Sequence, residues 1–569
     1  MIKGISENRR IWLVGLSLIM MLQLIVASYF CMEKQGYHYD EYYSYYSSNV
    51  TYGLAPTDRE WKDGGEIRSE FMVLPDEGFN YGMVRLMQTY DVHPPLYYFF
   101  LHTVCSFFPG IFSKWFGLGL NLQFFCIAYW LFARISYEIF RQNKGMTALA
   151  CLLFGFQPGI MSGITFIRMY MLLLVWCLAL TCWHIPFWKG NLSLRPGRII
   201  GLILLVTAGF LTHYYFAVFL FFLAAFTCLF HWLMNKRLKE SVVYGSCVCA
   251  GMVLAVALYP ASLSHIFRGY RGTEATGAFF DLSNTLLRLD FFTRLMNDSV
   301  FGGAFWLLML LLVVAAGLLL LKGVKRKEAG EIFKRMKQKE AGKASKEVNP
   351  VAYGCLLTVT LGYFFVVAKT ALLNAEEANR YELPVYGFWL LLVLGAVYAA
   401  AVRLAEGGKW ALYKGEKAKE RQTKGGNREE RAGKSLFVGI ATAVILGCQL
   451  LALGQGKVQF LYPEDAKNVA WAAEHKTEMI IYLYNPNNMW MIWDESEELM
   501  QYERIYFVSL ADTVPIEEKE LLEADRIYVY TSRMEAGEEL MDRLLEDSTE
   551  LSGKEKIREL LYCDLYCLD

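Results

Sequence analysis

The 569-residue chain is 55% apolar and 15% aromatic, and its apolar residues collect in many runs of about 20 residues, the length a helix needs to cross roughly 30 Å of hydrocarbon. Basic and acidic residues balance to a net charge of zero, so no global field favours nucleic acid or an acidic partner. The 13 cysteines are scattered, mostly inside apolar runs, and support neither a disulfide framework nor a zinc site. This composition predicts a polytopic α-helical membrane protein.

Lys3, Arg9 and Arg10 precede the run Ile11 to Cys31, which is too long for a signal-peptide core and reads as a retained first span with its amino end in the cytoplasm. Residues 32 to 93 are then outside, and within them 37–93 form a first outer loop. It opens on YHYDEYYSYYSSN, which holds the adjacent acids Asp40 and Glu41, and closes on DVHPPLYY, which holds Asp91 and His93. Between them Glu70 to Tyr90 mixes apolar and charged residues as a short surface helix does. Interfacial tyrosines and acids can simply anchor a loop, so this stretch acquires meaning only from what gathers beside it.

Farther on, the basic segments 235–240, 322–346 and 403–434 read as cytoplasmic. Parity places 261–300 and the stretch from Asn374 outside. It fails between Pro94 and Phe140, where two apolar segments would return the chain to the wrong side, so one must be a shallow or broken helix. The count is then about 11 full spans, ending near Leu436 to Gly454. The tail has 26 acidic against 11 basic residues and alternates β-rich runs (MIIYLYN, RIYFVSL, DRIYVYTS) with helical spacing. It predicts a small extracytoplasmic α/β domain with helices on both faces. The expected organisation is a transmembrane unit over 1–454 and an acidic unit over 455–569.

Ionisable groups at or inside spans cost several kcal/mol each unless they face a cavity or a partner. Arg168 with Tyr170 in GITFIRMYMLLL, His213 in FLTHYYFAV, Lys369, and Arg380 with Tyr381 in NRYELPVY all fall at outer span ends, on the face that carries Asp40, Glu41, Asp91 and His93. A lone Arg there serves equally as a headgroup anchor, and a lone His as a packing residue. Together, carboxylates and fixed cations suit one chemistry: a sugar leaves a lipid phosphate, the cations or a divalent metal hold the phosphate, and a carboxylate takes the proton of the attacking hydroxyl.

Asp40-Glu41 after a first span, DVHPPLYY, Arg168-Met-Tyr, Thr212-His-Tyr-Tyr and Arg380-Tyr with Pro384 resemble the bacterial polyprenyl-phosphate-dependent membrane glycosyltransferases. These belong to the GT-C superfamily, which includes protein O-mannosyltransferases and the aminoarabinose transferase of lipid A. The resemblance covers about residues 1 to 400. It implies that Asp40 is the catalytic base with Glu41 as its neighbour, and that Asp91 and His93 form a second catalytic element. It also implies that Arg168, Tyr170, His213, Lys369, Arg380 and Tyr381 line the donor-phosphate pocket. Asp40, Glu41 and Asp91 could together hold a divalent metal ion. The tail does not resemble the family's sugar-binding β-trefoil inserts, so the acceptor stays open.

The expected activity is inverting transfer of a sugar from a polyprenyl-phosphate donor to a hydroxyl of a cell-surface glycan, lipid or protein. It would take place at the outer face of the cytoplasmic membrane. The alternative is a lipid-linked-glycan transporter or ligase-like protein, although the two halves show no internal repeat of the kind transporters carry.

Overall fold

A computed structural model describes residues 7–49, 57–190, 194–321, 348–412 and 426–569. The basic segment 322–346 lies outside the described residues, as does 413–425 of the next basic segment. Among the described residues, eight helices are long and apolar enough to cross a membrane, or up to ten if each of two bent pairs counts as one span. The remaining expected span is Pro196–Phe210, apolar but only 15 residues long, or about 22 Å of helix.

The breaks have local causes. Lys144–Gly155 and Pro158–Thr165 meet at 52°, and Pro158, having no N–H to give, starts the second piece rather than continuing the first. Thr285–Phe301 and Phe305–Leu319 meet at 88°. Gly302 and Gly303 between them adopt φ of 59° and 95°, and a Cβ on Gly302 would stand 2.4 Å from the Cys448 carbonyl oxygen.

Between Pro94 and Phe140 there is a long helix, Lys114–Ile139, and an 11-residue one, Leu96–Ser106. The latter reaches about 16 Å, half the hydrocarbon thickness. The chain at its end is pinned to the first loop: Phe79 N donates to Ser106 Oγ at 2.9 Å and Gly110 N to Val73 O at 2.8 Å. The length of Leu96–Ser106 is that of the shallow helix expected between Pro94 and Phe140.

The first span, α1 (Glu7–Glu33), leads into a short helix, α2 (Tyr39–Asn49). The tyrosines of α2 turn inward, where Tyr42 meets Phe71 and Tyr45 meets Phe112 at centroid distances of 5.0 Å each. The surface helix expected within Glu70 to Tyr90 is Tyr81–Tyr90.

The tail carries the three apolar runs as β2 (Met479–Tyr484), β3 (Ile505–Ser509) and β4 (Ile527–Ser532), with β5 (Lys554–Glu559) and β6 (Cys563–Leu568) following. β1 (Glu60–Lys62) comes from the first loop, and the sheet order is β1-β3-β2-β4-β6-β5. β2 is parallel to both β3 and β4, while β1, β6 and β5 add antiparallel. Ile480, Tyr482 and Phe507 face the main core, and Ile481, Leu483 and Val508 face a second core under helix Glu535–Asp547. With both faces covered, the strands read as continuous apolar runs. β1 ties loop to tail, and Trp493 locks the contact by packing on Tyr43 and Tyr46 of α2 at 4.9 Å each.

Where tail and loop meet, a cleft of about 320 Å³ is lined by Asp465, Asp494, Glu495, Glu497 and Glu498. Burial first, then repulsion from neighbouring carboxylates, pushes Asp465, Asp494 and Glu497 up to about 7. The folded chain therefore keeps protons that the unfolded chain releases near pH 4, so stability falls as pH rises through about 4 to 7 and levels off above. Thermal unfolding in detergent at pH 5.5 and 8.5 should show the lower midpoint at pH 8.5, and Asp494→Asn should narrow the gap. A gap of the opposite sign would count against this assignment.

Candidate active site

Helix α2 is aimed by its first turn. The Asp40 backbone N–H donates to His38 Nδ1 at 3.0 Å, and the His38 N–H donates to Glu41 Oε2 at 2.7 Å, a reciprocal cap with His in the place usually held by Ser or Thr. His38 Nε2 lies 3.1 Å from Glu377 Oε2, which favours the tautomer with its proton on Nε2 and leaves Nδ1 free to accept.

Asp40 and Glu41 therefore part company. Glu41 is fully buried; Lys34 Nζ donates to its Oε2 at 2.8 Å and the Ile167 N–H to its Oε1 at 2.7 Å. Both oxygens are engaged away from the cavity, so the structure places Glu41 in a clamp between α2 and the Arg168 segment and outside the cavity lining. Asp40 lines a cavity of about 610 Å³. Its Oδ2 is 3.3 Å from Arg380 Nη2 and its Oδ1 is 3.6 Å from Arg168 Nη2, with both arginines 3% exposed.

Arg168 also donates through Nη1 to Tyr98 OH at 3.0 Å and to Ser44 Oγ at 3.3 Å. The Arg380 guanidinium sits 5.0 Å from the Phe166 ring centre and 5.2 Å from that of Tyr381. Among the described residues, three buried N–H groups of this pair, Arg168 Nε and Arg380 Nε and Nη1, have no hydrogen-bond acceptor. Leaving charged donors unsatisfied in a buried site is costly.

Burial raises the Asp40 carboxyl, but Arg168 and Arg380, with His38 and His93 behind them, outweigh it and hold the group below the usual carboxylate range. Asp91, the C-cap of helix Tyr81–Tyr90, does not line the cavity; its Oδ2 lies 2.9 Å from His93 Nδ1. Burial raises it too, and His93 brings it back below its ordinary value. His93 does line the cavity, and its ring faces His213 at 6.0 Å. His213 packs on Tyr170 at 5.4 Å, which in turn meets Tyr381 at 5.9 Å, so these four expected residues form one wall.

Lys369 does not join them. Its ammonium bonds the Asp281 carbonyl, Asn284 Oδ1 at 3.3 Å and Thr285 Oγ1 at 2.9 Å. Its place is taken by Arg271 and Arg288, which line the cavity. The sequence does not single them out, since both sit in a segment expected outside the membrane, where a charge costs nothing. Tyr98 and His38 lie inside the quoted DVHPPLYY and YHYDEYYSYYSSN, and Glu377 in a plain polar stretch.

A divalent ion on Asp40, Glu41 and Asp91 does not fit this donor set, because Glu41 turns away into Lys34 and Asp91 turns into His93. Among the described residues no group of three or more His, Cys, Asp or Glu is arranged to hold a metal ion.

No protein-family model and no curated protein matches the chain. Among solved structures, it is similar to ArnT from Cupriavidus metallidurans bound to undecaprenyl phosphate, at 12% identity over 97% of each chain with a TM-score of 0.49. The archaeal oligosaccharyltransferase AglB from Archaeoglobus fulgidus, in complex with an inhibitory peptide and a dolichol-phosphate, matches at 12% identity over 93% of this chain and 70% of that one, with a TM-score of 0.45. The Archaeoglobus fulgidus oligosaccharyltransferase complexed with Zn and sulfate matches at 11% identity over 90% and 68%, with a TM-score of 0.46.

Proposed function

We propose that the chain is a membrane glycosyltransferase that moves a sugar from a polyprenyl-phosphate donor to an acceptor hydroxyl, with inversion at the anomeric carbon. The observation that carries this reading is the pair of buried arginines beside Asp40 with three N–H groups unanswered. Their planar forks suit a phosphate. The far wall of the cavity suits the lipid: it is formed by Ala275, Phe279 and Phe280, and outside it Phe267, Leu282 and Leu286 stand 73%, 80% and 83% exposed.

In the reaction, the acceptor oxygen forms a bond to the anomeric carbon as the bond from that carbon to the phosphate oxygen breaks. The lipid phosphate departs with the electron pair, held by Arg380 and Arg168, and the acceptor proton passes to Asp40. The two arginines that keep Asp40 ionised also make it a weak base. A bound phosphate draws the guanidiniums to itself and raises the proton affinity of Asp40 only when donor is present. His38 and Glu377 hold Asp40 in place through its backbone.

Undecaprenyl phosphate should therefore raise the unfolding temperature of the purified chain in detergent, and Arg380→Ala should abolish the rise. No stabilisation of the wild-type chain would remove the donor from this reading.

The face of the membrane is tested separately. The proposed topology puts the amino end inside and the active site and tail outside, at the cytoplasmic membrane. The probes stand at exposed positions. In a background without native cysteines, whole cells treated with an impermeant maleimide should label Thr89→Cys and Thr549→Cys and spare Lys239→Cys. Labelling of Lys239→Cys alone would invert the topology.

A further inference from the structure

The tail reaches the active site through three rings. Tyr39, directly before Asp40, lines the cavity; its ring lies 5.4 Å from Trp490 and 6.2 Å from Tyr562, which are 5.2 Å from each other. Trp490 follows β2 and Tyr562 lies in the turn between β5 and β6, so two separate segments of the sheet converge on one residue of α2. We infer that these rings form the acceptor subsite and that the acceptor is a saccharide, an inference that rests on the reading of Asp40 as the base.

Packing alone does not account for this cluster. Each of the three rings is only half-buried, whereas Trp493, which joins the same tail to the same helix, is 7% exposed. Carboxylates stand around them, with Asp40, Glu377 and Asp494 all within electrostatic reach of Tyr562. Among the described residues Asp494 makes no ion pair, whereas Glu498 of the same cleft meets Arg558. A pyranose has an apolar C–H face and a rim of hydroxyls, so half-exposed ring faces bury the first and carboxylates accept from the second. A peptide acceptor is held mainly by main-chain pairing along a strand edge or by side-chain anchors in a groove, whereas the three converging rings present faces. The side of the cavity at Ala275, Phe279 and Phe280 is apolar and fits the donor lipid, and beyond Tyr39 the Trp490 and Tyr562 rings with their acids form a chemically different rim from which a sugar hydroxyl would be brought to Asp40.

The test uses the full chain in biotinylated nanodiscs, applied to a printed array of bacterial-surface glycans and to a matching array of Ser/Thr peptides. Thermal stabilisation by undecaprenyl phosphate is measured on the same preparations. Binding to a subset of glycans and to no peptide is expected, falling about tenfold in Trp490→Ala and returning in Trp490→Phe, with stabilisation by undecaprenyl phosphate equal in all three. Peptide binding in place of glycan binding, no binding to either array, or glycan binding unchanged in Trp490→Ala would each overturn the inference while leaving the proposed function standing. Loss of undecaprenyl phosphate stabilisation in the wild-type chain would instead defeat the proposed function itself.

Discussion

Asp40→Asn should lower the turnover of a polyprenyl-phosphate sugar in proteoliposomes by a factor on the order of 100 or more, with no rise in donor KM. The amide keeps the size of the carboxyl and can still accept from Arg380, 3.3 Å away, but it has no useful proton affinity. Removing the negative charge also leaves Arg168 and Arg380 with more of their field for the donor phosphate, so donor affinity should hold or tighten. That split separates loss of the base from loss of the fold, since a collapsed site would weaken donor binding as well. Wild-type turnover in Asp40→Asn, on a preparation that undecaprenyl phosphate still stabilises, would take the carboxylate out of the chemistry. Glu41→Gln provides the contrast. It breaks the buried pair with Lys34 at 2.8 Å, so it should cost stability first and turnover only in proportion to folded protein.

The difference between those two neighbouring acids could not be read from their adjacency. On a helix, consecutive side chains point about 100° apart, and here Asp40 faces the cavity while Glu41 turns from it. The three-residue spacing of His38 and Glu41 was the available signal for which one turns away, masked because His is an unusual cap residue. Arg168, His213 and Arg380 were legible for a different reason. A charge at the end of an apolar segment needs a partner, and topology says which ends meet. Lys369 met the same criterion and failed, because span position fixes depth but not the direction around the helix axis, and the lysine points at Asn284 and Thr285.

The apolar runs of the tail announced β2, β3 and β4, since burial on both faces demands continuous hydrophobicity. Edge strands carry no such demand: β5 reads KEKIRE and is exposed at five of its six positions. β1 is three residues of a polar loop, and no local pattern could reveal that it completes a sheet some 400 residues away in sequence.

Arg380→Lys should raise donor KM by about tenfold or more, while Lys369→Met should leave donor KM unchanged. Lysine can keep the charge near Asp40, but it has one compact ammonium in place of a fork, and two of the three unanswered N–H groups at this site belong to Arg380. A charge-assisted bidentate contact is worth about 1.5–3 kcal/mol, which corresponds to roughly a tenfold to hundredfold change in affinity. If Arg380 were only an anchor for its helix end, lysine would serve equally well and KM would not move. Lys369 carries the same formal charge on a neighbouring helix end, yet its ammonium is taken up by the Asp281, Asn284 and Thr285 oxygens. Its removal should lower the unfolding temperature without touching the donor. Equal donor KM values in wild type and Arg380→Lys, or a raised KM in Lys369→Met, would mean that the phosphate sits against a different set of cations than the pair flanking Asp40.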